Sequence, residues 1–171
     1  VVISPQVEMS QVLSLVPAEL LKSTKGLTSS GDVKFSMTIK GESSETMNPE
    51  VKGSFSISDG TVRYESLPKA ITHLDVSGVF ERPAAPIGQK GIGSFAIEKL
   101  SASLGNNPIN GKLSLSNFDD PTIAANFAGS LNLNEVREFY PLEEGTELTG
   151  MLKANVSLQG KAKVPSSIKA E

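Results

Sequence analysis

Strict alternation of apolar and polar residues over long stretches is the feature that most constrains this chain. Every second residue from Val33 to Ile39 is apolar, and the residues between them are lysine, serine or threonine. The longest uninterrupted example covers residues 122–133, where every second residue from Ile123 onward is apolar or glycine. A period of two places neighbouring side chains on opposite faces of a β-strand. The sequence therefore predicts an antiparallel sheet with one apolar and one polar face.

Part of this pattern occurs twice. Residues 10–42 align with residues 134–161, so that Gly26 pairs with Gly145 and Gly41 pairs with Gly160. The upstream parts of the two copies align with a different offset, which places a length difference in the connecting loops, where insertions are tolerated. Each copy reads as a short helix, a loop and a long half-polar strand. We therefore expect a mainly β fold with two short helices (α+β), built from repeats.

We expect residues 1–171 to be a single fragment of a larger repeat protein, because the sequence opens at Val1 in mid-pattern. A hydrophobic content of 38% suits a sheet that is covered on one face only. The loop over residues 82–91 is dense in proline and glycine and is not expected to pair. Since the alternation resumes after it, this loop divides two sets of strands within one sheet more plausibly than two domains.

Two local signals refine the strand predictions. Asp59-Gly60 is typical of a two-residue hairpin turn. Further along, Phe95 and Ile97 occupy odd positions, whereas the apolar residues from Leu100 onward occupy even positions. A β-bulge near Glu98-Lys99 would keep both sets on one face.

Glycines recur within the predicted strands on the apolar register, at Gly53, Gly78, Gly111, Gly129 and Gly150. Glycine inside a strand normally weakens pairing, so its recurrence needs a physical reason. One hypothesis is that the sheet curls toward its apolar face and forms a β-groove or incomplete barrel. The alternative is close contact with a packed helix or a second sheet.

Composition and motifs argue against several classes of function. A net charge of −3 without clustered lysine and arginine argues against nucleic acid as a partner. The chain has no cysteine and one histidine, His73, which we expect to be an exposed polar residue. The carboxylate pairs Asp119-Asp120 and Glu143-Glu144 lie in predicted turns and read as solvated caps. We find no catalytic residues, no metal ligands and no cofactor motif, so the sequence predicts a protein that is not an enzyme.

Two segments resemble the AsmA family, relatives of TamB. Residues 104–143 are similar to the C-terminal region of that family, with Leu104-Gly105 followed by a strand pair over 109–121 and a further strand that runs into a short helix. Residues 53–78 resemble another stretch of the family. One departure is Asn132, where the family often has an acidic residue before the helix.

The resemblance implies a periplasmic segment of a long bacterial envelope protein that is anchored in the inner membrane and takes part in outer-membrane biogenesis. It further implies lipid transport, with phospholipid acyl chains held in an apolar β-groove. Acyl chains are the partner that the residues also favour, since an exposed apolar face gains about 0.8 kcal/mol per buried CH₂ group. The candidate groove-lining residues are Val33, Phe35, Met37, Ile39, Phe55, Ile57, Leu113, Leu115, Ile123, Phe127 and Leu131.

The same residues are compatible with other roles. The same residues would form an ordinary core if the two predicted helices covered them. A structural or interaction module of the cell envelope, which docks partner proteins by strand addition at an open sheet edge, is the alternative function. A carbohydrate-active module is disfavoured, because the chain has no tryptophan and no spaced pair of acids.

Overall fold

A computed structural model of the chain describes residues 2–3, 7–8, 27–64, 69–89, 91–138, 145–161 and 169–170. These residues form one large antiparallel sheet and one small one. The strands are β1 Val2–Ile3, β2 Val7–Glu8, β3 Leu27–Lys40, β4 Met47–Asn48, β5 Glu50–Tyr64, β6 Ile71–Arg82, β7 Ala85–Pro86, β8 Ser94–Leu104, β9 Asn107–Ser116, β10 Thr122–Asn132, β11 Met151–Lys161 and β12 Lys169–Ala170.

Seven of these strands are long, and each pairs with the next long strand along the chain. The order in the large sheet is β1-β3-β5-β6-β8-β9-β10-β11-β12, and β2 also pairs with β3. The short strands β4 and β7 form a separate two-stranded ladder. Since β3 and β11 lie at opposite ends of the long strands and do not pair, the sheet is open. The predicted mainly β, antiparallel architecture is confirmed.

The structure does not confirm the two predicted helices. The first falls on residues outside the described ranges. The second, predicted to start at Asn134, is a 3₁₀ helix over Leu133–Glu138 rather than an α-helix. The Leu133 N–H donates to the carbonyl of Gly150 at 2.9 Å, which extends the β10–β11 ladder into the start of this helix. The repeated helix–loop–strand unit therefore stays a prediction.

The register aligns apolar residues of neighbouring strands in rows across the sheet. Directly paired residues of antiparallel strands have their side chains on the same face. The first row is Val33, Ile57, Val76, Leu100, Gly111, Phe127 and Val156. The second is Phe35, Phe55, Gly78, Ile97, Leu113, Ala125 and Leu158, and the third is Met37, Gly53, Phe80, Phe95, Leu115, Ile123 and Gly160.

The bulge predicted near Glu98-Lys99 is confirmed. Ile97 pairs with Leu113 and Leu100 pairs with Gly111, so β8 holds one residue more than β9 between these pairs. An extra residue restores the phase of the alternation. As a result, Ile97 and Leu100 lie on the same face of the sheet.

The hairpin predicted at Asp59-Gly60 is wrong. Strand β5 runs through these residues, and its register with β6 shifts between Ile57 and Val62. Asp59 adopts a left-handed φ of 48°, which a bulge accommodates as readily as a hairpin turn does. A Cβ on Gly31 of the neighbouring strand would lie 2.7 Å from the Gly60 Cα, so only glycine fits between the two bulged strands.

The proline- and glycine-rich loop after β6 was expected not to pair, and for two residues this is wrong. Ala85 and Pro86 pair with β4, and the Ile87 N–H donates to the Thr46 carbonyl at 2.8 Å. Ala85 is 3% exposed, so this small ladder has a buried residue at its centre. Strands β6 and β8, on either side of the loop, are direct neighbours in the large sheet.

The described residues form a small hydrophobic core. In the part of the chain that the structure describes, the buried apolar residues are Val33, Val76, Ala85, Ala102 and Ala125. Each long strand packs chiefly against its sheet neighbours, so the described fold is a single layer with little core.

Candidate functional site: the apolar face of the sheet

The structure places all eleven candidate groove-lining residues on one face of the sheet. Val33, Ile57 and Phe127 belong to the first row, Phe35, Phe55 and Leu113 to the second, and Met37, Leu115 and Ile123 to the third. Ile39 pairs with Val51 beyond the third row, and Leu131 pairs with Leu152 near the opposite end of the strands. We call this surface the apolar face.

Four phenylalanines organise the N-terminal part of the apolar face. Phe35 and Phe80 stack with ring centroids 5.8 Å apart and an interplanar angle of 13°. Phe55 and Phe95 stack at 5.6 Å and 12°. We call the part of the apolar face on β3, β5, β6 and β8 the aromatic half. Sequence reasoning did not select Phe80 and Phe95, although each continues the apolar alternation of its strand.

The glycines of the aromatic half lie beneath these rings. A Cβ on Gly53 would lie 2.2 Å from the Phe80 Cζ, and a Cβ on Gly78 would lie 2.5 Å from the Phe55 Cζ. Gly53 pairs with Phe80 and Gly78 pairs with Phe55, so each ring covers the glycine opposite it. A ring that covers a cross-strand glycine compensates for the missing side chain. The space above these glycines is therefore filled from within the same sheet, an arrangement that neither sequence-based hypothesis anticipated.

The C-terminal part of the apolar face is more exposed. We call the part on β9, β10 and β11 the open half. Phe127 covers Gly111 but is itself 38% exposed, and Leu152 and Val156 are 51% and 37% exposed. By contrast, Val33 and Val76 in the aromatic half are 7% and 8% exposed, and the exposed large side chain of that half, Ile39, lies at its outer end. An apolar ligand would therefore find most uncovered surface on the open half.

The opposite face of the sheet carries polar and charged side chains. On it, the Lys52 ammonium lies 2.9 Å from the Glu81 carboxylate of the neighbouring strand and 3.7 Å from Glu50. The hydrogen bond to Glu81, followed by the charges of the two carboxylates, raises the pKa of Lys52 above its ordinary value. A second pair joins Lys161 to Asp120 at 2.7 Å. We call this surface the polar face.

His73 and Asp75, two residues apart in β6, make separate contacts. His73 is exposed, adopts a left-handed φ of 50°, and its Nδ1 lies 3.2 Å from the hydroxyl of Thr72. The Asp75 carboxylate instead accepts the backbone N–H of Asp59 at 3.1 Å, where the bulge of β5 lies beside that of β6. Within the described ranges, no group of three or more histidine, aspartate or glutamate side chains could hold a metal ion.

Of the two carboxylate pairs, Glu143-Glu144 lies outside the described residues. Asp120 belongs to the ion pair with Lys161, and its backbone N–H donates to the Asn117 side chain at 3.4 Å. Asp120 thus helps to close the turn between β9 and β10.

A polar network missed by sequence reasoning closes one end of the sheet. Asn107 is 3% exposed, and its side-chain amide donates to the Leu104 carbonyl at 2.9 Å and to Glu135 at 3.0 Å. Its oxygen accepts the backbone N–H of Asn132 at 2.6 Å. The Asn132 amide donates to the other Glu135 oxygen at 3.1 Å. An acid at position 132 would lack this donor and would place a second negative charge beside Glu135, which accounts for asparagine there.

No protein-family model matches this chain, and neither a curated protein nor a solved structure matches it. In the described part of the chain, none of the helical structure is long and apolar enough to cross a membrane.

Proposed function

We propose that this chain is a non-enzymatic, lipid-binding segment of an AsmA-like protein of the bacterial envelope. In this proposal it lies in the periplasm as part of a protein anchored in the inner membrane, and it carries phospholipid acyl chains during transport or outer-membrane biogenesis. One observation carries the proposal. Apolar side chains of seven strands form continuous rows on one face of an open sheet, and the open half of that face is accessible.

The size of the apolar face suits an acyl chain. Seven strands spaced about 4.8 Å apart extend about 29 Å from β3 to β11, which exceeds the length of one acyl chain, since two leaflets of such chains make up a bilayer's hydrocarbon core of about 30 Å. Each methylene group removed from water contributes about 0.8 kcal/mol, so ten of them contribute about 8 kcal/mol before the cost of ordering the chain. Among the described residues the large sheet packs chiefly within its own layer, which favours a ligand on this surface.

We further propose that the sheet curls into a groove with the apolar face on its concave side. Bulges interrupt the ladders in β3, β5, β6 and β8, and a bulge bends its strand and increases the local twist. In the aromatic half, the glycines that lack side chains, Gly53 and Gly78, lie on the same face. Both features favour curvature toward the apolar face.

Neighbouring residues of β11 provide a matched pair of variants for the test. Leu152 and Met151 are 51% and 57% exposed, but they lie on the apolar face and the polar face respectively. Because both side chains are exposed, lysine at either position should leave the fold intact. We expect Leu152→Lys to lower the amount of lipid bound at least fivefold, and Met151→Lys to leave it unchanged.

The measurement is mass spectrometry of organic extracts from the purified proteins, with phospholipid expressed per mole of chain. Circular dichroism and thermal unfolding of both variants serve as folding controls. Extracts of the unmodified protein that contain no phospholipid above the level of a blank, in repeated preparations, would overturn the proposal. Equal lipid content in the two lysine variants would overturn the assignment to the apolar face.

A second candidate function, the docking of envelope proteins by strand addition, is favoured by the outer edge of β11. Among the described residues, only Leu158 and Gln159 of this edge pair with a further strand, β12. The remaining edge over Met151–Ser157 offers backbone N–H and C=O groups to an added strand, which is the usual geometry of β-augmentation.

Hydrogen exchange separates the two functions. Strand addition should slow exchange of alternate backbone amides over residues 151–157, whereas an acyl chain on the apolar face makes no backbone hydrogen bonds and should leave these amides unchanged. The experiment adds a candidate partner to the lipid-free protein and reads exchange by residue. Unchanged exchange over this segment with a bound protein partner would exclude the edge as its docking site.

A further inference from the structure

The outer edge of β11 is exposed on both faces of the sheet. Residues 151–156 are all exposed, whereas exposed residues alternate with less exposed ones along β9. In the part of the chain that the structure describes, β12 pairs with this edge at Leu158 and Gln159 alone. At the other side of the large sheet, β1 and β2 both pair with β3. We call residues 151–157 the β11 edge.

The backbone of alternate residues on the β11 edge points away from the sheet. The Gly150 carbonyl accepts the Leu133 N–H at 2.9 Å, and β10 and β11 pair from there without a bulge. Hydrogen-bonded and non-hydrogen-bonded pairs alternate along an antiparallel ladder, so the even-numbered residues of β11 bond to β10. The odd-numbered residues, which direct their N–H and C=O groups outward, are Met151, Lys153, Asn155 and Ser157.

The β11 edge has few of the features that prevent exposed strands from pairing. Protected edges are short or bulged, or they contain proline or several charges. Strand β11 has eleven residues and no register shift against β10, and its edge contains no proline and one charge, Lys153. Met151, Leu152 and Val156 are 57%, 51% and 37% exposed. Such an edge favours pairing with another strand.

We propose that the β11 edge pairs with the same edge of a second copy of this chain, around a two-fold axis at Ala154. The two strands run antiparallel, and the two large sheets join edge to edge. Met151 then lies opposite Ser157 of the partner subunit, so all seven residues of the edge are paired. The join ends before Leu158, where β12 begins to pair.

The sequence of the β11 edge is complementary to itself in this register. Lys153 lies opposite the uncharged Asn155 of the partner subunit, so the two lysines do not face each other. Leu152 lies opposite Val156 of the partner subunit, and both belong to the apolar face. Apolar cross-strand pairs stabilise a ladder, and the two copies form this pair twice. The apolar faces of the two subunits therefore continue across the join.

The neighbouring registers are less favourable. An axis at Lys153 would set this lysine against its own copy, and like charges directly opposite each other are destabilising. An axis at Asn155 would place Leu152 against Leu158 of the partner subunit, a residue that already pairs with β12. The axis at Ala154 avoids both conflicts.

Sedimentation velocity from micromolar to near-millimolar concentration tests whether the chain dimerises. We expect a dimer whose population rises with concentration. Sedimentation as a monomer throughout this range would overturn the proposal. The proposal does not depend on lipid binding, since the edge and the apolar face are separate surfaces. A monomer that carries phospholipid would overturn the dimer alone, and a dimer without phospholipid would overturn the lipid function alone.

Two substitutions of one exposed residue on the polar face test the register. Asn155→Lys sets two lysines opposite each other at both ends of the join, so we expect the dimer dissociation constant to rise about tenfold. Asn155→Glu is the matched control, because it places a carboxylate opposite Lys153 of the partner subunit. It should lower the dissociation constant about threefold. Equal constants in the two variants would contradict pairing around Ala154.

Single cysteines test the position of the axis, because the chain has no cysteine of its own. The two Ala154 residues form a non-hydrogen-bonded pair, whose Cα atoms lie about 4.5 Å apart, within the range of a disulfide. Val156 is the control on the same face, since its two copies would lie about 14 Å apart. On oxidation, Ala154→Cys should form covalent dimers roughly ten times faster than Val156→Cys. Equal rates would show that the β11 edge does not pair with its own copy.

Discussion

The two halves of the apolar face share one residue pattern but differ in how the face is filled. In the aromatic half, phenylalanine rings stack in two pairs and cover the glycines opposite them. In the open half, Phe127 covers Gly111, but neither stacked pair extends there. Of the most exposed large side chains on the described apolar face, Phe127, Leu152 and Val156 lie in the open half and Ile39 lies in the aromatic half.

This difference shows that alternation decides which side chains share a face but not whether that face needs a ligand. The aromatic half stabilises itself, because stacked rings contribute about 0.5–1.5 kcal/mol per pair beyond their burial. The open half contributes less to its own stability and offers more surface to a partner. We therefore expect substitutions in the aromatic half to affect folding and substitutions in the open half to affect binding.

The largest expected effect distinguishes Gly78 of the aromatic half, which a ring covers, from Gly129 of the open half, which no ring covers. In Gly78→Ala the new methyl group would lie 2.4 Å from the Ala96 carbonyl oxygen and 2.5 Å from the Phe55 ring, so we expect a loss of about 3 kcal/mol. In Gly129→Ala the nearest atom, the Pro108 carbonyl oxygen, is 3.2 Å away, and the loss should be about 1 kcal/mol or less. Urea unfolding measures both, and equal losses would contradict the distinction.

Removal of a phenylalanine ring from each half should give the next largest difference in the free energy of unfolding. Phe80→Ala removes a stacked partner and the cover of Gly53, and we expect it to cost about 2.5 kcal/mol. Phe127→Ala removes a ring that is already 38% exposed, and it should cost about 1 kcal/mol. Chemical denaturation in the absence of lipid compares the two. If Phe127→Ala is the more destabilising, the open half does not have the weaker packing that we assign to it.

Substitutions in the polar network at the end of the sheet test whether this network positions the strands of the open half. Asn107→Ala leaves the backbone N–H of Asn132 and the Glu135 carboxylate without their buried partner, so we expect a loss of about 2 kcal/mol. The neighbouring Asn106 is exposed, and Asn106→Ala serves as the control, with a change within about 0.5 kcal/mol. Hydrogen exchange should show the loss first in the 3₁₀ helix and β10. Uniform loss over all strands would argue against a local role.

The smallest expected effect is on the pH dependence of stability, through Lys52 on the polar face behind the aromatic half. The hydrogen bond to Glu81 raises the pKa of Lys52 above its ordinary value of 10.5. A raised pKa in the folded state stabilises the fold below the unfolded pKa, and this contribution is lost as the pH rises through the folded pKa. As the pH rises above the ordinary lysine pKa of 10.5, Lys52→Met should therefore lose less thermal stability than the unmodified protein. Lys34→Met is the control, and an identical pH profile in both variants would contradict the coupling.

Much of the fold follows from the sequence because a period of two determines the face of every strand residue. The same logic located the β8 bulge, where Ile97 and Leu100 are out of phase. The hairpin prediction at Asp59-Gly60 failed, because Asp-Gly favours a left-handed backbone conformation, which occurs in bulges as well as in hairpin turns. Only the partner strand, with Gly31 against Gly60, distinguishes the two outcomes.

The sequence predicted which residues lie on the candidate site but not how they contact one another. Alternation selected residues of the apolar face, yet the pairing of Phe80 with Gly53 depends on the register between strands, which one strand's sequence does not specify. Sequence reasoning missed Asn107, because its partners Asn132 and Glu135 are 25 and 28 residues away along the chain. The second helix pattern was short, and side-chain hydrogen bonds at Asn132 and Glu135 favoured a tighter 3₁₀ turn.

The reciprocal pairing of Gly53 with Phe80 and Phe55 with Gly78 has a consequence for the accuracy of folding. A slip of two residues between β5 and β6 would keep every side chain on its proper face, so alternation alone cannot prevent it. In either direction the slip would separate both glycines from the rings that cover them, and in one direction it would also set Gly53 against Gly78 and leave a hole. Misaligned hairpins are thus penalised in both directions, which gives a strand pair of otherwise repetitive sequence a single favoured alignment.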